Sequence, residues 1–161
     1  MEKDSVVKSD YKSELLKNGI IAFVPGGNSM WPILKNHKQS VVVIKKEQKL
    51  NRFDVALYVR DDGSFVLHRV METTEFGYIM CGDSQFTLEK VREDQVFGVL
   101  EGFYRGKKYI ECKDAKYEKM VERWYARKLR RKIKLKFFYF GQRVKNKLKK
   151  IFCRKKGDKN V

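Results

Sequence analysis

The sequence predicts a mainly β body, opened by a short N-terminal helix and followed by a basic helical tail. Three observations lead there. Short β-branched or aromatic runs recur between turn signals from Ile20 to Ile110, the pattern of an all-β domain built from many short strands. Beyond Cys112 the apolar residues change to helical spacing. The charge divides at the same place. Residues 113–161 carry 20 Lys/Arg against 4 Asp/Glu, which leaves 17 against 16 for residues 1–112.

Residues 8–18 read as a polar helix, with Ser9 or Asp10 as cap and Asn18-Gly19 as its end. Ile20 to Val24 reads as a strand stopped by the breaker cluster Pro25-Gly26-Gly27. Ser40 to Ile44 is β-branched and strand-like, and Val55 to Val59 follows it. Asp61-Asp62-Gly63 signals a hairpin turn into Phe65 to Met71. Further short strands are expected at Gly77 to Met80, Val96 to Val99, Phe103-Tyr104 and Tyr109-Ile110. In the tail, Tyr117, Met120, Val121, Trp124, Tyr125 and Leu129 recur with helical rhythm among lysines and arginines. Phe137, Phe140, Val144, Leu148, Ile151 and Phe152 repeat it. The expected organisation is therefore a body over residues 1–112 and a basic amphipathic tail over 113–161.

At 161 residues the chain has about one domain's length. Cys81, Cys112 and Cys153 show no C-x-x-C or Cys/His metal spacing, and an odd count argues against a disulfide framework. That usage fits a reducing compartment. No metal or cofactor is called for. No stretch approaches the ~20 apolar residues of a membrane span, and Met1 to Ser5 lacks the apolar region of a signal peptide. These features point to the cytoplasmic side.

Three segments carry residue types suited to acyl transfer. Gly27-Asn28-Ser29-Met30-Trp31-Pro32 sets a hydroxyl between glycines and a proline, where backbone N–H groups are natural oxyanion donors. His68 lies in the apolar run Phe65-Val66-Leu67-His68-Arg69-Val70, and a neutral imidazole there suits a general base. Asp83 follows a glycine in Cys81-Gly82-Asp83-Ser84-Gln85 and suits a partner that orients the His68 ring. Each has a plainer reading: a turn serine, a hydrogen-bonded strand histidine, a strand-end aspartate. The other histidine, His37, stands in the polar loop Lys35-Asn36-His37-Lys38 and reads as solvated.

Taken together, these segments resemble the type I signal peptidase family. That family shares a box like S-M-x-P-T-L, a G-D-V-V strand, a base-bearing strand and a G-D-x-N turn. Here the matching residues are Ser29-Met30-Trp31-Pro32-Ile33-Leu34, Phe53-Asp54-Val55-Ala56, Val66-Leu67-His68-Arg69-Val70 and Gly82-Asp83-Ser84-Gln85. The histidine, where most bacterial members carry lysine, is similar to the endoplasmic-reticulum and archaeal branch, and the whole looks like small anchorless bacterial members. The resemblance covers about residues 20–112. It implies the coiled β-sheet body shared by signal peptidases and LexA, with Ser29 as nucleophile, His68 as base and Asp83 as acidic partner. Asn28 and Met30 belong to the oxyanion or supporting turn, and Glu89 falls where that branch has a second acid. The substrate implied is a leader or precursor peptide with small residues at the cleavage site. The sequence departs from the family at Gly27, where many members have a serine, at His37-Lys38, which replaces a Gly-Asp, and at Ser84-Gln85, which replace asparagine.

In the tail, aromatics interleaved with cations suit a helix lying on an anionic membrane, each cation near that surface contributing ~1 kcal/mol. Trp124, Phe137, Phe138, Lys147, Lys149 and Lys150 are the expected contacts. Nucleic acid is an alternative partner for such a tail, and packing on the β body is a third possibility. Two other functions stay open at this point: a LexA-type self-cleaving regulator, and a non-catalytic adaptor for membrane or nucleic acid.

Overall fold

A computed structural model describes residues 3–35 and 38–130 of the chain, with side chains placed from residue 11 onward. The chain divides into two units, Met1–Lys119 and Met120–Val161. Helix α1 (Lys3–Asn18) leads into strands β1 (Ile20–Phe23), β2 (Val41–Lys45), β3 (Val55–Val59), β4 (Phe65–Thr74), β5 (Gly77–Cys81) and β6 (Glu89–Arg92). A short 3-10 turn (Glu93–Gln95), β7 (Val96–Arg105) and β8 (Lys108–Glu111) follow. A second helix, α2, occupies residues 115–130.

The first unit is mainly β, as the sequence predicts. Its strands form one antiparallel sheet of order β1-β2-β7-β3-β4-β5-β6, with β8 also on β7. Helix α1 starts earlier than residue 8, because nothing between Lys3 and Lys8 breaks a helix and Ser9 and Asp10 are carried inside it. It stops at Gly19, whose φ of +76° is the left-handed conformation a helix end favours and whose N–H bonds the Leu15 carbonyl at 2.8 Å.

Two strands differ from the sequence expectation. Glu89–Arg92 is a strand although three of its four residues are charged, because only Val91 needs to face inward from this sheet edge. Val96–Arg105 is one strand rather than two, continuing through Gly98 and Gly102 with a register shift beside each. Those glycines mark close packing instead of breaks. A Cβ on Gly98 would meet Val43 Cγ1 at 2.7 Å and Leu15 Cδ2 at 2.8 Å, and one on Gly102 would meet the Tyr109 ring at 2.5 Å.

One core cluster gathers Leu50, Ala56, Tyr58, Val70, Tyr78, Met80, Val91 and Val96. Each large apolar side chain buried there contributes roughly 1.5–3 kcal/mol over exposure. One register detail matters for the site. Phe65–Val59 through Arg69–Val55 pairs β4 with β3, whereas pairing of β4 with β5 begins only at Arg69 opposite Cys81. The Phe65–His68 half of β4 is thus paired with a strand on one side only.

Candidate active site

The Ser29 turn is held from beneath by its apolar neighbours. Met30, Ile33 and Leu34 are buried, and the Leu34 N–H bonds the Met30 carbonyl at 2.9 Å. Gly27 enters the turn at φ +82°, where a side chain would be strained, and the Trp31–Pro32 bond is cis. Asn28 is exposed, and its carbonyl accepts the Trp31 N–H at 3.1 Å. Ser29 itself is half-buried.

A second turn, more than fifty residues away in sequence, docks onto the first. The Ser84 N–H donates to the Ser29 carbonyl at 2.9 Å, and the Ser84 hydroxyl lies 2.9 Å from the Asn28 carbonyl and 3.0 Å from that of Ser29. Gly82 backs directly onto Ser29: a Cβ there would sit 2.7 Å from the Ser29 carbonyl oxygen and 3.1 Å from the Ser29 Cβ. Two of the sequence motifs are therefore in contact, and a side chain at residue 82 would push the Ser29 backbone aside.

His68 comes from β4 and is 5% exposed. Ser29 and His68 line one open cleft of about 230 Å³, walled by Pro25, Gly27, Leu34 and Phe65 and bordered by Arg60 and Gln85. Behind the imidazole runs a chain of polar groups. Tyr58 Oη is 3.1 Å from His68 Nδ1 and donates to Glu89 Oε2 at 2.8 Å. Arg60 grips the same carboxylate through Nε at 2.5 Å and Nη2 at 2.7 Å. Glu89 Oε2 is 3.7 Å from His68 Nδ1.

The electrostatics favour a neutral imidazole. Burial lowers the His68 pKa below its ordinary 6.5. Arg60 adds to that effect, while Glu89 and Asp83 oppose it. The hydrogen bonds from Arg60 hold the Glu89 carboxyl below its ordinary value despite partial burial. Burial, then Glu89, push the Tyr58 hydroxyl well above 10, so it stays protonated.

Asp83 is paired with Arg69. Its two carboxylate oxygens accept from Arg69 Nε and Nη2, each at 2.8 Å. Arg69 also donates to the Phe53 carbonyl at 2.8 Å and to the Tyr117 hydroxyl at 3.2 Å. Both side chains of the pair are fully buried. The acid linked to the Nδ1 side of His68 is Glu89, through Tyr58. Tyr58 and Arg69 were not singled out from the sequence. Register was the available signal for Tyr58: it faces Val66 across the β3–β4 ladder, which puts it on the same sheet face as His68.

Met30 is a buried anchor lining the cleft, and Asn28 contributes its backbone carbonyl to the turn contacts. Trp124 lies on α2, within the second unit, where Lys128 Nζ also sits 5.0 Å from the centre of the Tyr125 ring. His37, Phe137, Phe138, Lys147, Lys149 and Lys150 lie outside the described residues. Among the described residues, no group of three or more His, Cys, Asp or Glu could hold a metal ion, and no helix is long and apolar enough to cross a membrane. Compared with known proteins, the chain matches no family model and no curated protein.

Proposed function

We propose that the chain is a serine endopeptidase of the type I signal peptidase kind, working through Ser29 and His68 on a leader or precursor peptide. The observation that carries this reading is that one cleft is lined by both residues, with the serine turn braced from behind by the Gly82–Gln85 turn. Ser29 Oγ attacks the scissile carbonyl and forms the Oγ–C bond as its proton passes to His68 Nε2. Backbone N–H groups of the serine turn receive the developing oxyanion, one well-placed donor being worth roughly 3–4 kcal/mol. The C–N bond then breaks, and His68 returns the proton to the leaving amine. Water, activated by the same imidazole, releases the acyl group.

The half-paired stretch Phe65–His68 borders the cleft, so an extended peptide can add to it as a strand. That mode supports a precursor chain, rather than a small ester, as substrate. In this reading the basic tail supports attachment to the inner face of an anionic membrane, where such precursors are met.

Intact mass after treatment with a serine-reactive fluorophosphonate tests the reading, alongside a peptide-library digest with anionic vesicles present. A single adduct on the wild type, absent from Ser29→Ala and His68→Ala, is expected together with cleavage that both variants lose. Cleavage retained by Ser29→Ala, or none by the wild type in the library, would reject it.

A further inference from the structure

The hydrogen-bond directions around His68 contain more than the dyad. An ionised carboxylate only accepts, so the single Tyr58 proton is committed to Glu89 Oε2 at 2.8 Å. The Tyr58 oxygen then has only lone pairs to offer the imidazole nitrogen 3.1 Å away. That contact is a hydrogen bond only if His68 Nδ1 carries the proton. A neutral ring protonated on Nδ1 has its lone pair on Nε2, which is the form a base toward Ser29 must take.

We infer that Tyr58 and Glu89, with Arg60 holding the carboxylate, are the positioning residues that set the His68 tautomer, in the role the sequence assigned to Asp83. This rests on the peptidase reading for its purpose, though not for its geometry. Each link has a defined part. Arg60 engages both Glu89 oxygens and keeps the acid ionised. Glu89 fixes the direction of the Tyr58 hydroxyl, and the buried Tyr58 fixes the ring. The carboxylate also lies 3.7 Å from Nδ1, within ion-pair distance, so the imidazolium formed during catalysis is stabilised by that negative charge. Asp83, by contrast, accepts through both of its oxygens from Arg69.

The experiment is ¹⁵N histidine NMR of the full chain at pH 8, where only two imidazoles, His37 and His68, contribute. His68→Ala assigns the resonances. Wild-type His68 is expected to be protonated on Nδ1. In Tyr58→Phe the ring loses its acceptor and should revert to the Nε2–H form that free imidazole favours. In Glu89→Gln the amide can donate to the Tyr58 oxygen and turn the tyrosine proton toward Nδ1, with the same reversal. Both variants should lose about 100-fold in kcat/KM, as expected of a base held in the wrong tautomer. A wild-type ring protonated on Nε2, or lost activity in both variants with the tautomer unchanged, would overturn the assignment. If Tyr58→Phe does not fold, the wild type and Glu89→Gln decide, because Glu89 sits partly in solvent. The tautomer is read without turnover, so failure here is distinct from failure of the peptidase reading.

Discussion

Two arginine–carboxylate forks stand on either side of His68, and they do opposite things. Arg69 and Asp83 meet with near-symmetric 2.8 Å bonds in complete burial, while Arg60 and Glu89 make the same two-pronged contact at the border of an open cleft. The difference is solvent. A buried fork is held by the cost of leaving either charge alone, which makes it rigid and suited to tying elements together. Arg69 joins Asp83, the Phe53 carbonyl and Tyr117, so it braces the turn that backs onto Ser29. A partly exposed fork contributes little to stability, yet its charges lie close enough to the imidazole to set its proton. One pair holds the place of Ser29 and the other borders His68.

The comparison breaks most visibly at the buried pair. Asp83→Asn leaves Arg69 an uncompensated buried charge and should cost about 3–5 kcal/mol in urea unfolding; a loss under about 1 kcal/mol would remove the contrast. Gly82→Ala comes next. The added methyl meets the Ser29 carbonyl at 2.7 Å, so overpacking should cost about 1–3 kcal/mol. Displacement of the nucleophile should lower kcat about 100-fold, measured against an unchanged near-ultraviolet circular dichroism spectrum.

The smallest effect on stability, and the most diagnostic for the base, belongs to the open pair. Arg60→Gln should change stability by no more than about 1 kcal/mol while moving the pH profile. Wild-type kcat/KM should fall on acidification only below pH 6.5, because burial first, then Arg60, depress the His68 pKa. Removing Arg60 takes away one depressing charge and frees the Glu89 charge that opposes it, so the acid limb should move to higher pH. A limb that stays in place would sever Arg60 from the base. The same depression has a sign for folding. His68 binds its proton more weakly in the folded state than in the unfolded one. Its contribution to stability is thus complete above pH 6.5 and is lost as pH falls through the folded value.

Residue types and local pattern made much of this legible. The β-branched runs at Val41 and Val55 and the Asp61-Asp62-Gly63 turn marked strands and a hairpin, because strand preference and turn chemistry act over a few residues. Glu89–Arg92 gave no such signal, since an edge strand with one inward residue has almost no apolar alternation. Gly102 fell between two expected strands because nothing local reveals that the Tyr109 ring occupies the space its side chain would need. In the site, Ser29 and His68 stood out by chemistry and setting.

The sequence by itself determined a β-rich body, a basic tail, and a serine and a histidine in settings suited to acyl transfer. Only the tertiary structure decided which carboxylate serves which partner. Asp83 and Glu89 are equally acidic on paper. Their assignments depend on strand register, which puts Arg69 in full burial against one and Tyr58 between the other and His68. Burial and hydrogen-bond direction exist only once distant strands are paired, and those two quantities set both the strength of each ion pair and the proton on the His68 ring.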